Sequence, residues 1–242
     1  MSTAREFYLP FIKKEKVAKD TYSFYFDLAE RRSFSFLPGQ YIRMILDIEN
    51  PDNRGNSRFF TIASSPLEKK YIMITTKVIK SSFKKTLAGL RTGERVKFFG
   101  PMGGFVLDEG RKDSRVFLAG GIGITPFHSM ITYAYTKNLS IPITLLVSFP
   151  SIEDLVFYKE LTDITKKNPY TKIIYTITRP DERWEGEKGR ISEVLIKKYV
   201  PNILEPQYFI VGPPTMVASM ETTVNKMGVA SERVFIENFT GY

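Results

Sequence analysis

Residues 115–126 read Arg-Val-Phe-Leu-Ala-Gly-Gly-Ile-Gly-Ile-Thr-Pro. The apolar run 116–119 enters a glycine-dense turn, Gly120, Gly121 and Gly123. Thr125 can cap a helix whose first residue, Pro126, gives up an N–H that the helix would not use. The apolar spacing of 127–135 continues that helix. Strand, glycine turn and helix N-terminus together aim free N–H groups and a positive dipole end at an anion. That geometry suits the pyrophosphate of a dinucleotide. The spacing departs from Gly-x-Gly-x-x-Gly, and no single acidic residue marks the end of the next strand as a ribose ligand. A turn that only packs a helix onto a strand would look the same, so this segment leaves both uses open.

The other chemistry the chain could carry is narrowed by what it lacks. With no cysteine there is no disulfide framework, no thiol nucleophile, no thiolate zinc site and no cysteine-ligated iron–sulfur cluster. The single histidine, His128, excludes a multi-histidine metal or haem site and reads as a structural or surface residue of the helix after the turn. No metal site is expected. Hydroxyls, carboxylates and bound cofactors remain. A formal charge of +9 suits an acidic partner. Its lysines are spread in pairs such as Lys13-Lys14, Lys84-Lys85 and Lys197-Lys198, without a dense basic block or a nucleic-acid signature. No nucleic-acid role is expected. No apolar run approaches the roughly 20 residues of a membrane span, and the N-terminus does not read as a signal peptide, so a cytoplasmic location is expected.

The elements that must position these residues change character near 108–114. Before it, strand-like runs at 22–27, 41–47, 59–63, 71–78 and 95–99 are separated by turn residues, the rhythm of a small antiparallel barrel. A helix is expected over 86–90. After it, strands at 116–119, 143–149, 172–178 and 208–211 alternate with helices near 127–136, 153–166, 191–199 and 215–227, and a last strand lies at 234–236. That alternation predicts a doubly wound parallel sheet. Two domains follow, 1–110 and 111–242, from a chain of 242 residues with ample apolar material.

Five segments occur in a telling order: Arg58-Phe-Phe-Thr-Ile-Ala-Ser-Ser-Pro66, Gly100-Pro-Met-Gly-Gly-Phe105, the glycine turn, Val211-Gly-Pro-Pro-Thr-Met216 and Glu237-Asn-Phe-Thr-Gly-Tyr242. Together they resemble the ferredoxin–NADP+ reductase superfamily over nearly the whole chain. The resemblance implies an N-terminal flavin barrel, a C-terminal nicotinamide-dinucleotide domain, and hydride transfer at the cleft between them.

The family's Arg-x-Tyr-Ser motif stands here as Arg58-Phe59-Phe60-Thr61. By carry-over Arg58 holds the flavin phosphate, which suits a guanidinium. Phe60 lies against the isoalloxazine without the tyrosine hydroxyl, and Thr61 keeps a hydroxyl near flavin N5; Phe59, on the opposite strand face, is expected in the core. The family's Gly-x-x-Ser/Thr phosphate segment stands here as Ser81-Ser82-Phe83-Lys84, where Ser82 and Lys84 would favour an anion. The flavin implied is FAD, with FMN left open. Gly121, Gly123, Thr125 and Pro126 would approach the nicotinamide dinucleotide, as would Gly212 and Pro213. Val211 replaces the family's cysteine, whose sulfur lies near the reacting nicotinamide carbon. Glu237 resembles a carboxylate near the nicotinamide, and Phe239 or Tyr242 could cover the flavin as an aromatic lid. Thr178-Arg179 resembles a Ser-Arg pair that takes the 2′-phosphate of NADPH, whereas Pro180-Asp181, Trp184-Glu-Gly186 and Gly189-Arg-Ile191 resemble NADH-using members; both donors stay open.

Without an iron–sulfur module the electrons must leave for a separate acceptor. The positive charge fits an acidic carrier, ferredoxin or flavodoxin. A free-flavin or ferric reductase and a non-catalytic flavin-binding subunit of a larger complex are the alternatives.

Overall fold

The computed structural model describes residues 4–79 and 81–239. They fall into two compact units: one runs to Leu107 and includes His128–Tyr133, the other comprises Asp108–Phe127 and the chain from Ala134 onward. The break thus lies three residues before the expected 110, and one stretch of helix counts with the first unit.

The first unit is a six-stranded antiparallel sheet. Its strands are β1 (Arg5–Ala18), β2 (Thr21–Asp27), β3 (Tyr41–Ile45), β4 (Ser57–Thr61), β5 (Tyr71–Lys77) and β6 (Arg95–Met102), in the order β4-β3-β6-β1-β2-β5. The edge strands meet where the Ala63 amide donates to the Met73 carbonyl at 2.7 Å and the Met73 amide donates to Ser64 Oγ at 3.0 Å. That seam closes the sheet as a barrel and leaves no free edge there. Strand β1 is the one strand of this unit that the sequence pattern did not predict. Phe7, Leu9 and Phe11 alternate into the core, while the lysines beyond them face solvent. It serves two partners: 5–10 pairs with β6 and the segment from Phe11 pairs with β2, so Pro10 sits where the partner changes. Inside, Phe98 lies 5.0 Å from the Phe26 ring and 5.5 Å from Phe7.

Helix α1 (Ser82–Gly89) starts four residues before the expected 86, because Ser81 caps it by accepting the Lys84 amide at 3.1 Å. His128 and Ser129 are structural: His128 Nδ1 lies 2.7 Å from the Ala63 carbonyl oxygen, and Ser129 Oγ donates to the Ser64 carbonyl at 2.7 Å.

The second unit is a parallel sheet in the order β10-β9-β8-β7-β11-β12. Its strands are β7 (Arg115–Gly120), β8 (Ile143–Phe149), β9 (Thr171–Ile177), β10 (Glu187–Lys188), β11 (Gln207–Gly212) and β12 (Val234–Asn238). Helices α2 (Thr125–Thr136), α3 (Tyr158–Lys167), α4 (Glu193–Tyr199) and α5 (Pro214–Lys226) alternate with them. Both β7 and β11 are buried at every position, as strands covered on both faces must be. Chain order reverses between β7 and β11, so the ends of these two strands form the switch point of the sheet. Buried Arg115 stitches the preceding loop to it by donating to the carbonyls of Arg111 and Asp113. The helix expected from 153 begins only at Tyr158. Ser151 Oγ donates to Asp154 at 2.8 Å over a short 3-10 turn, and Phe157 then takes a left-handed φ of 59°, so the helix cannot run through.

Phe98→Ala should cost about 3–5 kcal/mol, the range for a buried phenylalanine that leaves a cavity. Chemical denaturation checks this: a transition should move to lower denaturant, and a shift under 1 kcal/mol would mean that the barrel core does not rest on this ring.

Candidate functional site

In the first unit, Arg58, Phe60, Ser82 and Lys84 come together where β4 meets α1. Arg58 folds its guanidinium onto the preceding turn, donating to the carbonyls of Arg54 (2.8 Å), Gly55 (3.0 Å) and Ser57 (2.7 Å) and to Asp52 Oδ1 at 3.0 Å. It also stands 5.1 Å from the centre of the Phe83 ring. Ser82 Oγ accepts the Asp52 amide at 2.9 Å, which ties the same turn to the start of the helix. Burial opposes ionisation of Asp52, but the Arg54 amide, Ser82 and the Arg58 cation hold its carboxyl below the usual range. Lys84 is only 7% exposed; its ammonium donates to Thr76 Oγ1 and lies 4.7 Å over the Phe60 ring. Burial, followed by repulsion from Arg58 and Arg54, pushes it down to about 7.

The alternation of β4 corrects one expectation. Phe60, 6% exposed, packs inward with its ring 5.9 Å from Phe83, whereas Phe59 is 62% exposed and meets Tyr41 edge-on at 5.7 Å instead of joining the core. Thr61 is buried beside it, and its hydroxyl has no hydrogen-bond partner among the described residues; Arg58 Nε is likewise buried and unpaired. Buried polar atoms of this kind call for a partner. Two of them on the strand that carries the flavin motif fit a bound flavin.

In the second unit, the glycine turn lies against the end of β11. A Cβ on Gly123 would stand 2.6 Å from the Val211 carbonyl oxygen, and one on Gly120 would stand 2.4 Å from Met216 Sδ and 3.2 Å from Pro213. Gly212 is similarly closed, 2.9 Å from Met216 Sδ. Gly121 differs: its φ is +53° and open space lies where a side chain would go. Of the six residues expected at the dinucleotide, Gly121 and Pro213 keep access, while Gly123, Thr125, Pro126 and Gly212 are buried. Thr125 does not cap α2. It is already helical, and its hydroxyl donates back to the Ile122 carbonyl at 3.1 Å, because a 3-10 turn over Gly121–Ile124 precedes the helix.

Glu237 on β12 pairs in register with Val211, so its carboxyl belongs to the same end of the sheet. Burial pushes it up to about 7, and Oε2 has no partner among the described residues. The Phe239 amide donates to the Gly212 carbonyl at 3.0 Å, which fixes its backbone to the end of β11. Tyr242 lies outside the described residues. Thr178 and Arg179 follow β9, held by amide bonds to the carbonyls of Phe149 (2.9 Å) and Pro150 (3.0 Å), with exposed side chains. Nearby Arg183 is committed to Asp181 and to Glu153 (2.7 Å), whereas Arg179 makes no ion pair among the described residues.

Asp52, Arg54, Thr76 and Phe83 were not anticipated. The turn signal Pro51-Asp52-Asn53-Arg54-Gly55 was legible, but what it holds depends on the pairing of β4 with β3. Among the described residues there is no cluster of His, Cys, Asp and Glu that could hold a metal, and no helix is long and apolar enough to cross a membrane.

Two family models match in tandem: an oxidoreductase FAD-binding domain over residues 8–107 and an oxidoreductase NAD-binding domain over 117–222. The NADH-cytochrome b5 reductase 1 of Candida glabrata is 30% identical over 233 residues, covering 93% of this chain and 79% of its own. The glycine betaine monooxygenase reductase subunit of Chromohalobacter salexigens is 26% identical over 211 residues, 85% of this chain; the chain spans 56% of that relative's length. The structure of a ferredoxin NADP+ reductase from Neisseria gonorrhoeae with bound FAD and NADP has the same fold, with a TM-score of 0.81 at 18% identity, covering 96% of this chain and 98% of that one. The chain belongs to the ferredoxin–NADP+ reductase superfamily of flavin- and nicotinamide-dependent oxidoreductases. FAD and a nicotinamide dinucleotide are its cofactors.

Gly123→Ala should cost about 1–3 kcal/mol as an overpacking change against backbone, and should weaken dinucleotide binding with it. Gly121→Ala should cost only about 1–2 kcal/mol, the left-handed penalty. Thermal melts of the two variants with and without NADP+ check the difference. Glu237 gives a pH signature. Its folded value is raised, so its contribution to stability is present at acid pH and is lost as pH rises from about 4.5 through about 7. Glu237→Gln should therefore melt close to the parent at pH 5 and a few degrees above it at pH 8. Equal melting temperatures at both pH values would show that the carboxyl is not held as a neutral acid.

Proposed function

We propose that the chain takes a hydride from NAD(P)H into FAD and passes the electrons to a separate acceptor protein. The observation that carries this reading is the tandem of an FAD-type and an NAD-type binding domain in one chain without cysteine. FAD, when bound, supplies the exchange between two-electron hydride chemistry and onward electron transfer. The protein's part is binding and positioning. Arg58 and the start of α1 take the flavin phosphates, and the Thr61 hydroxyl satisfies a flavin edge atom. Gly121 admits the dinucleotide backbone at the switch point. Phe60 supports the site from the core side of β4, a supporting position that follows from its burial. Glu237 is the ionisable group at the nicotinamide end; as a neutral acid near pH 7 it can donate a hydrogen bond there without adding a charge that would oppose a cationic nicotinamide. Phe239 or Tyr242 is the aromatic that would cover the flavin.

The acceptor reading is an acidic electron carrier, ferredoxin or flavodoxin, drawn by a formal charge of +9. The relative from Chromohalobacter is the reductase subunit of a monooxygenase, which supports a reductase that serves a partner. For the donor, Arg179 is the cation after β9 that makes no ion pair among the described residues, and this favours NADPH; Thr178 supplies a hydroxyl beside it.

Anaerobic titration of the purified protein with NADPH and with NADH, followed by visible flavin absorption, tests the reading. Bleaching is expected with NADPH at lower concentration than with NADH. Arg179→Ala should raise KM for NADPH about 10–100-fold, as expected when a charge-assisted contact is lost, and leave that for NADH unchanged. Bound flavin that neither donor reduces would end the enzyme reading in favour of a coupling subunit.

A further inference from the structure

The chain holds eight methionines and no cysteine, so thioethers are the sulfur that an oxidant meets. Burial sorts them. Met44, Met73, Met130, Met220 and Met227 are buried, and Met1 lies outside the described residues. Met102 at the end of β6 and Met216 in the first turn of α5 are half-buried. Oxidation of a thioether follows its exposure, so among the described residues these two are the open ones.

Met216 stands at the glycine turn. Its Sδ occupies the side of two glycines where a Cβ would go: a carbon added to Gly212 would meet it at 2.9 Å, and one added to Gly120 would come closer still. Pro213 Cδ closes the same space, 3.2 Å from the Gly120 position. One thioether therefore fills the room beside the start of the turn and beside the end of β11. The helix sets it there, with the Met216 amide donating to the Pro213 carbonyl at 2.9 Å. A thioether suits so narrow a space because it is slim, flexible and nearly apolar. A sulfoxide is none of these. It carries one more heavy atom and a strong acceptor oxygen, which favours water over a tight contact with backbone.

Resting on the dinucleotide site read at the glycine turn, we propose that Met216 is an oxidation site, where hydrogen peroxide converts the thioether to its sulfoxide and thereby weakens dinucleotide binding. The sulfur attacks one peroxide oxygen. The O–O bond breaks, an S–O bond forms, and the second oxygen leaves as water with both protons. Sulfur gives up two electrons and the peroxide gains them. An oxygen aimed at the glycines lifts the turn, and a side chain that swings out to hydrate its oxygen withdraws the packing beside Gly120. Both disturb the segment that carries Gly121, whose φ of +53° and open side admit the ligand. Peroxide is what dioxygen becomes on gaining two electrons and two protons. Oxidation of Met216 thus registers electrons that have reached dioxygen instead of an acceptor protein.

The test uses the full chain, with Met102→Leu as background so that the other half-buried thioether is absent. Excess hydrogen peroxide should add one oxygen to the peptide that contains Met216, read by mass spectrometry. The dissociation constant for NADP+ or NAD+, whichever binds more tightly, should then rise about 5–30-fold in calorimetry, the scale of an overpacking change at a binding site. The circular dichroism spectrum should not change. Methionine sulfoxide reductases A and B with a dithiol should remove the oxygen and restore the constant, a readout that does not depend on any variant at position 216 folding. Met216→Leu, similar in size and without sulfur, should keep its own constant through peroxide treatment, and Met216→Gln should bind weakly before it. Absence of oxygen on Met216, an unchanged constant once it is oxidised, an equal loss in Met216→Leu, or unfolding on oxidation overturns the inference while the dinucleotide reading stands. Untreated protein that binds neither dinucleotide overturns both.

Discussion

The nucleotide unit depends on one close approach: the glycine turn after β7 lies on the backbone at the end of β11, where a single added carbon at Gly123 would sit 2.6 Å from the Val211 carbonyl. Because the turn can lie that low, Gly120 clears Met216 and Pro213, and Gly121 is left with open space beside it. At Gly121 no side chain stands in the way of a ligand at the switch point. The other side is also close, since a Cβ on Gly212 would meet Met216 Sδ at 2.9 Å and the Gly120 backbone at 3.3 Å. The two glycine segments, nearly a hundred residues apart in sequence, form one device.

The barrel unit solves a harder electrostatic problem. Arg58, Arg54 and Lys84 are gathered near one helix start, with Asp52 as their carboxylate. Hydrogen bonds to three backbone carbonyls and an ion pair with Asp52 fix the Arg58 guanidinium in place. Bonds to carbonyls carry no net charge, so they position the cation without adding to the neutralisation that Asp52 supplies. Aromatic rings do the rest: Phe60 and Phe83 give each cation a face and separate the two charges.

Most of the architecture was legible because period and punctuation agree with it. The parallel sheet announced itself by alternating apolar runs and helical stretches, and both glycine segments by composition alone. Strand β1 was hidden because three lysines interrupt its second half, and only its place between β6 and β2 makes that half a strand. The late start of α3 turns on the left-handed Phe157, which no propensity announces. Thr125 looked like a cap because it precedes a helix; the 3-10 turn before it moved the true start. Phe59 and Phe60 are chemically alike, so their orientation is set by the register of β4 on β3, with Ile42 opposite Phe60 and Arg43 opposite Phe59. The sequence singles out Arg58, Phe60, Ser82 and Lys84, which lie together where β4 meets α1, but not which face each one shows, nor Asp52, Thr76 and Phe83 around them.

Val211 clarifies what the family position needs in this chain. Its side chain is fully buried, flanked in register by Ala119 on β7 and Glu237 on β12. Its carbonyl, not its side chain, is what Gly123 approaches. A β-branched apolar residue stiffens a central strand and fills the space between two neighbours, and neither effect requires sulfur chemistry. Burial raises the Glu237 carboxyl in register with Val211 to about 7, so at neutral pH this end of the sheet presents a group poised between its acid and its anion.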